Sequence, residues 1–308
     1  MSLTPYYVGL DFAKANFTYF HPQGQGTLPN TAQGHIRLFA SLPAGAHLVC
    51  ESTGPYHQAL TLLAHQRGVA LTVANPAQVR HFIKGRGQRA KTDALDAQGL
   101  HLFGVHNQPQ ADLAVRPAER ALQELVVARQ QAVLEASTLK VQAALPVGKL
   151  VQRLLDQRLK LLAKQIQTLE QAMAKTVAED PLLKTRVDRL LPVQGLGFVS
   201  AVTAVALCPE LGSLTRNEAS ALLGVAPYPD QSGDVDGPRA ISGGRMRLRH
   251  ALYMAALSAA RHNPVLKPFY QKLRTRGKAG KVALIAVLRK LFQLLNHLLK
   301  NPDFTLAT

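Results

Sequence analysis

Four carboxylates in the first hundred residues sit among neighbours that make them conspicuous. Asp11 lies inside the apolar run Val8-Gly9-Leu10-Asp11-Phe12, and Glu51 ends the stretch His47–Glu51. Asp93 and Asp96 are three residues apart in a helical pattern, so both project from one helix face. Acids at the ends of adjacent strands can meet at one sheet edge. Brought together they repel unless a cation lies between them, and a hard divalent ion such as Mg²⁺, bound through oxygen, meets that need. One or two such ions, about 3.5–4 Å apart if paired, activate a nucleophile and steady the leaving oxygen of a phosphodiester. Each acid alone has an ordinary explanation as well. Asp93 suits the positive end of a helix, and Asp96 can pair with Lys91 or an arginine. The segment before the pair is basic, with Arg80, Lys84, Arg86, Arg89 and Lys91. Cations beside a metal site suit a nucleic-acid backbone better than a small substrate.

A second chemical candidate is a serine. The loop Ala226–Gly233 holds Ser232, and Arg239, Arg245, Arg247 and Arg249 follow it closely. Serine is a poor nucleophile until activated, and arginines can steady the charge of a phosphoryl transition state. Ser242, in Ile241-Ser242-Gly243-Gly244, has the same claim on chemistry alone, and local sequence does not choose between them. The charge balance points the same way. The net charge is +17, and between Arg239 and Lys300 there are fourteen Lys or Arg residues and no Asp or Glu. That calls for a polyanionic partner, nucleic acid before a membrane surface, because the cations are spread over several elements.

The elements that must position these groups follow from periodicity. Tyr6–Phe12 reads as a strand with Asn16–Phe20 as its hairpin partner, and Gln23–Gly26 as a turn. Thr31–Leu42 reads as a helix capped by Thr31. A short buried strand at His47–Glu51 precedes the breaker Gly54-Pro55 and a helix to about Gln66. Val69–Ala74 is a strand, Asn75-Pro76 opens a helix, and Thr92–Val105 is another with Thr92 as cap. Strands alternating with helices predict an α/β domain with parallel pairing. Two strand acids and a helical Asp-x-x-Asp are the layout of an RNase H-like fold. From Pro117 to about Ala178 apolar residues recur at three- and four-residue spacing, predicting a helical pair or short coiled coil broken near Pro146-Val147-Gly148. Its expected role is a spacer or subunit contact. After Pro192 the pattern is mostly helical, with one Gly/Pro/Asp-rich loop from about Pro227 to Gly244. Leu191–Gly197 resembles a helix-hairpin-helix turn, whose backbone N–H groups could face a phosphate.

The chain has 308 residues, enough for two or three domains. With 47% apolar residues it can bury real cores. No run of eighteen apolar residues predicts a membrane span, and the N-terminus lacks a signal-peptide pattern. Cys50 and Cys208 lie far apart and read as small buried residues of a reducing cytoplasm.

Further motifs extend these features along nearly the whole chain. They are Gly9–Lys14, Cys50–Gly54, Asn75–Arg80 and Ala90–Ala97, then Gly224–Pro227, Gln231–Gly233, Gly243–Arg245, and Ala251–Ala256 through Arg261–Pro264. In these the chain resembles the DEDD-type transposases of the insertion sequence 110 family, relatives of the pilin-gene invertases. The resemblance implies three regions. Residues 1–112 would form a RuvC-like DEDD domain, 113–185 a helical coiled coil, and 186–308 a mostly α transposase domain. It implies that Asp11, Glu51, Asp93 and Asp96 hold Mg²⁺. It also implies that the serine of the Ser-Gly pair, Ser232, links covalently to DNA, whereas the position of Ser242 need not be serine. A structured guide RNA that pairs with donor and target DNA, and a homo-oligomer, dimer or tetramer, with shared sites are implied as well. A cytoplasmic, nucleoid-associated protein is expected, with no membrane partner. The alternative reading is a metal-dependent RuvC-like structure-specific nuclease. In that case Ser232 would be a plain loop residue.

Overall fold

The computed structural model describes residues 6–52, 54–87, 90, 92–232 and 235–306, and of 229–232 and 235–239 the backbone alone. The chain divides into two compact units, Met1–Val115 and Arg116–Thr308.

Alternating apolar residues build the first unit. Strands β1 (Tyr6–Phe12), β2 (Asn16–His21), β3 (Gly24–Pro29), β4 (Ala46–Glu51) and β5 (Ala70–Ala74) form one sheet in the order β3-β2-β1-β4-β5. The first three strands are antiparallel, and β4 and β5 join β1 in parallel. Helices α1 (Ala32–Ser41), α2 (Gln58–Gln66), α3 (Pro76–Gly85) and α4 (Asp93–Asn107) cover both faces. Because strand side chains alternate, Val8, Leu10, Leu48, Cys50 and Leu71 pack with Leu38 and Leu60 on one face. Tyr7, Val49 and Ala74 pack with Val79, Leu100 and Phe103 on the other. Thr31 and Thr92 cap their helices as the sequence predicts, and Asn75, read there as opening a helix, caps it as well. Thr31 accepts from the Gly34 amide, Asn75 from Ala77 and Thr92 from Leu95.

One expectation fails here. The stretch Gln23–Gly26 is not all turn, because β3 begins at Gly24. Its side chains alternate between half-buried and exposed, so this outer strand has no apolar run to announce it. At the other edge, the chain after α4 lies along β5. The Asp112 amide donates to the Leu71 carbonyl at 2.8 Å, the Val73 amide to the Asp112 carboxylate at 2.8 Å, and the Thr72 hydroxyl to the Gln110 carbonyl at 2.9 Å.

The second unit is helical except for one hairpin. Its elements are α5 (Pro117–Ala143), α6 (Lys149–Glu179), α7 (Pro181–Leu190), α8 (Phe198–Leu207) and α9 (Arg216–Leu223). Strands β6 (Pro227–Ser232) and β7 (Val235–Ile241) follow, then α10 (Met246–His262), α11 (Leu266–Thr275) and α12 (Gly280–Lys300). Helices α5 and α6 are the expected pair, broken where Pro146 stands. At one end Leu122, Val126, Met173 and Val177 join the main core. Farther along, Leu139, Leu155 and Leu162 pack in a small cluster of their own. Arg116 ties the start of α5 to the start of α7 through Glu119 and Asp180. Helix α12 is long and apolar enough to cross a membrane, which the sequence reading does not anticipate. Val287, Leu288, Leu291, Phe292 and Leu295 are buried in the unit's core, so it is a core helix.

The stretch expected as a loop, Pro227–Gly244, is mostly the β6–β7 hairpin. Prolines at 229 and 238 make it read as a loop. A two-stranded ribbon has two outer edges, where proline is tolerated, and the register shifts between Tyr228 and Asp230, around Pro229.

Candidate functional site

Register brings the first two acids together. In the parallel pairing of β1 with β4, Gly9 stands beside Val49 and Leu10 beside Cys50. The next step puts Asp11 and Glu51 at one level, at the C-terminal ends of neighbouring strands. Both are in phase with Tyr7 and Val49, on the face that α3 and α4 cover.

Helix α4 runs antiparallel to β1 across that face. The Tyr7 ring lies against Gly104, and the Tyr7 carbonyl accepts a hydrogen bond from His101 Nδ1 at 2.9 Å. Farther along the strand, Gly9 lies against the α4 backbone. A Cβ there would stand 2.0 Å from the Ala97 carbonyl oxygen and 2.4 Å from the His101 nitrogen, so only glycine lets the helix sit this close. Two more strand residues advance about 7 Å, which equals about four to five helical residues. Counting back from Ala97, that reaches the first turn of α4, where Asp93 and Asp96 stand. All four acids therefore share one face and one end of the sheet. Asp11, Glu51 and Asp96 are half-buried and Asp93 is exposed.

The donor set is carboxylate alone, the chemistry of a hard cation such as Mg²⁺ and not of zinc. Among the described residues, no three His, Cys, Asp or Glu side chains are grouped so that they could hold one ion.

The predicted cations fall into different settings. Arg80 and Lys84 lie one turn apart on α3 and are exposed. Arg86 caps that helix, approaches His106 Nε2 at 3.3 Å and lies over the Phe82 ring. Arg89 and Lys91 lie outside the described residues, and of Arg239 only the backbone, in β7, is described. Arg247 is exposed on α10. Arg245 instead forms a bidentate pair with Glu210 and donates to the Leu207 carbonyl at 2.9 Å. Burial alone would raise the Glu210 carboxyl, but the Arg245 guanidinium outweighs it and holds the group below its ordinary value. Arg249 donates to three backbone carbonyls of Leu223, Gly224 and Gly243.

The two candidate serines stand at opposite ends of one hairpin. Ser232 pairs with Val235 at the tip, while Ser242 follows Ile241, whose partner Pro227 opens the hairpin at its base. Of Ser232 the backbone alone is described. Of the two glycines of the expected helix-hairpin-helix turn, one serves packing, while a Cβ on Gly197 would meet nothing within 4 Å. Gly195, at φ +95°, presses on the backbone of Ala259 in α10, leaving no room for a side chain.

Two features escape the sequence reading. Gly9 reads there as part of a motif, with no signal that a helix presses on it. Lys267, Lys272, Arg274, Arg276, Lys278 and Lys281 are all exposed on α11, its following turn and the start of α12. The acid-free count from Arg239 to Lys300 contains them and could have singled them out.

Comparison with known proteins adds an independent line. Residues 8–145 match the DEDD transposase model of IS110 elements, described as "Transposase". Residues 187–271 match a model described as "Transposase IS116/IS110/IS902 family". The chain is 27% identical over 305 residues to a pilin gene-inverting protein of Moraxella lacunata, covering 92% of each chain. It is 26% identical, with the same coverage, to the pilin gene-inverting protein of Moraxella bovis. Over 111 residues it is 29% identical to an insertion element IS110 protein of Streptomyces coelicolor, covering 34% of this chain and 27% of that one.

Proposed function

The chain belongs to the IS110 family of transposases and is a DNA-recombining enzyme, and from that premise we propose a mechanism with two reactive parts. Asp11, Glu51, Asp93 and Asp96 of an RNase H-like unit hold Mg²⁺, and Ser232 is the nucleophile. The observation that carries the first part is the shared sheet end. Two strand acids stand at one level, with the Asp93–Asp96 turn of α4 docked beside them through Gly9. Mg²⁺, when bound, supplies charge neutralisation at the scissile phosphate and acidifies an attacking or leaving oxygen.

The hydroxyl of Ser232 loses its proton to a base and its oxygen forms a bond to phosphorus. The bond from phosphorus to one deoxyribose oxygen breaks, and that oxygen takes up a proton as a free hydroxyl. The phosphoserine keeps the energy of the phosphodiester, so a hydroxyl from another strand can reverse the step without ATP. Inversion, in the names of the Moraxella relatives, requires cut ends to be rejoined, which favours this exchange over simple hydrolysis. Exposed Arg80, Lys84 and Arg247, with the cations of α11, contact phosphates of donor and target DNA. A structured guide RNA is the further polyanionic partner that the resemblance implies, consistent with a net charge of +17. Leu134, Val141, Leu150 and Leu154 are exposed on α5 and α6 and support self-association into a dimer or tetramer.

The test is a denaturing gel of the protein with labelled DNA, Mg²⁺ and total RNA of its host. A protein–DNA adduct that survives denaturation and is absent in Ser232→Ala is expected. An adduct retained by Ser232→Ala would remove the serine from the mechanism, and cut DNA with no adduct would favour the nuclease reading.

A further inference from the structure

The β6–β7 hairpin is a two-stranded sheet of its own, a unit marginal in stability unless something holds it. What holds it is a knot at its base. Gly224 ends α9 at φ +73°, and Gly243 and Gly244 follow β7 at φ +66° and +70°. Gly244 is pressed on Gly224 so closely that a Cβ on it would stand 2.2 Å from the Gly224 nitrogen. Into this contact comes Arg249, from the first turn of α10. Its Nη1 donates to the Gly243 carbonyl at 2.7 Å, to Gly224 at 3.1 Å and to Leu223 at 3.3 Å. One guanidinium thus clasps the backbone that enters the hairpin and the backbone that leaves it. The Arg245 amide closes the same knot on the Leu222 carbonyl at 2.7 Å.

We propose that Arg249 is a positioning residue, which by clasping Gly224 and Gly243 sets where Ser232 stands at the far end of the hairpin. This rests on the reading of Ser232 as the nucleophile. From Pro227 to Ser232 the strand advances about 16 Å. A tilt of about ten degrees at the base then moves the tip by about 3 Å, and a displacement of about 1 Å at a reacting atom can cost 10²-fold in rate. The arginines after the serine thereby divide by role. Arg247 is exposed and free to meet a phosphate, while Arg249 turns its Nη1 onto main-chain carbonyls, as a residue that shapes the hairpin does.

The test compares full-length wild type with Arg249→Ala in two ways. The first reads the knot without chemistry. Hydrogen exchange at the amides of Val225, Ala226 and Arg245 should accelerate in the variant, while exchange in α12 stays unchanged. Unchanged exchange at 222–245 overturns the role of Arg249 in the knot, whatever the fate of Ser232. The second reads the chemistry. Adduct formation at saturating DNA should fall by about 10²-fold with DNA affinity kept, and millimolar ethylguanidinium should restore much of it. A loss confined to DNA affinity would make Arg249 a phosphate contact and overturn the proposal. If α12 also loses protection, Arg249→Lys is used, which keeps a donor at shorter reach. It should give an intermediate rate at saturating DNA, and a wild-type rate would again overturn the proposal. An adduct that persists in Ser232→Ala removes the serine reading alone, and the exchange result stands apart from it.

Discussion

The sheet end of the first unit and the hairpin of the second place their candidate groups by opposite means. Asp11 and Glu51 are set by register: once β1 and β4 pair in parallel, their level and face are settled by counting. Asp93 and Asp96 arrive with a helix whose closeness to β1 depends on Gly9 of the strand and Gly104 of the helix. Ser232 is paired across the ribbon with Val235, at its last register position. It stands at the tip of an isolated ribbon whose direction comes from three left-handed glycines and an arginine at the base. Regular structure transmits position through many equivalent hydrogen bonds, so it tolerates the loss of any one. A knot transmits it through a few, so each carries more of the position.

The sharpest way to probe that difference is to remove the chemistry at each end. Asp11→Asn and Ser232→Ala should each lower strand exchange by about 10³-fold or more while DNA binding in filter or mobility assays is kept. Exchange retained by either variant would remove that end from the mechanism. Next is the glycine that seats α4. Gly9→Ala should destabilise the first unit by about 1–3 kcal/mol and abolish activity, because the new Cβ meets main chain that cannot turn aside. Gly85→Ala, whose Cβ would meet nothing within 4 Å, should melt like wild type. Equal melting of the two variants would show that α4 is not held by Gly9.

A smaller effect separates the units by pH. Burial lowers the pKa of His21, His35 and His47, all in the first unit, with His101 adding repulsion at His21. As pH falls through about 6.5 the unfolded chain takes up protons that the folded unit still refuses, so stability is lost on the acid side. In the second unit the shifted carboxylates are Glu210, held down by Arg245, Asp180, held down first by the Leu183 amide and then by Arg116, and Glu218, held down by the Thr215 amide and hydroxyl. Depressed acids lose their contribution only as pH falls below the ordinary carboxylate range. Between pH 7 and 5 calorimetry should therefore show the first unit's transition falling and the second's holding. A parallel decline of both would contradict that assignment. The smallest effect belongs to α11. Lys267→Gln with Lys272→Gln should leave adduct formation at saturating DNA unchanged. It should also reduce the slope of log affinity against log salt by about 0.9 for each phosphate that is no longer neutralised. An unchanged slope would take α11 off the DNA surface.

How much can be read in the sequence follows the same division. Tyr6–Phe12 and Asn16–Phe20 are legible because their alternation is strong, and Thr31, Asn75 and Thr92 announce their helices by cap chemistry. The acids are legible because an aspartate inside an apolar strand has few reasons to be there. Strand β3 is not, since its exposed edge carries no pattern, and neither is the β6–β7 ribbon behind its three prolines. The roles of Arg245 and Arg249 are hidden for another reason. Arginine's charge is visible in a sequence, but whether it meets a phosphate or a carbonyl depends on main chain folded back from residues 207–224.

The short stretch that runs beside β5 has a consequence for solubility. Leu71 and Val73 would otherwise present an unpaired carbonyl and amide along an outer strand, a template on which another chain could add a strand and aggregate. Gln110 and Asp112 occupy those positions just before the first unit ends. A fragment truncated after Val115 carries its own guard and should stay monodisperse, whereas one ending at Asn107 leaves the edge open and should precipitate. The link between the units is therefore also the selvage of the sheet.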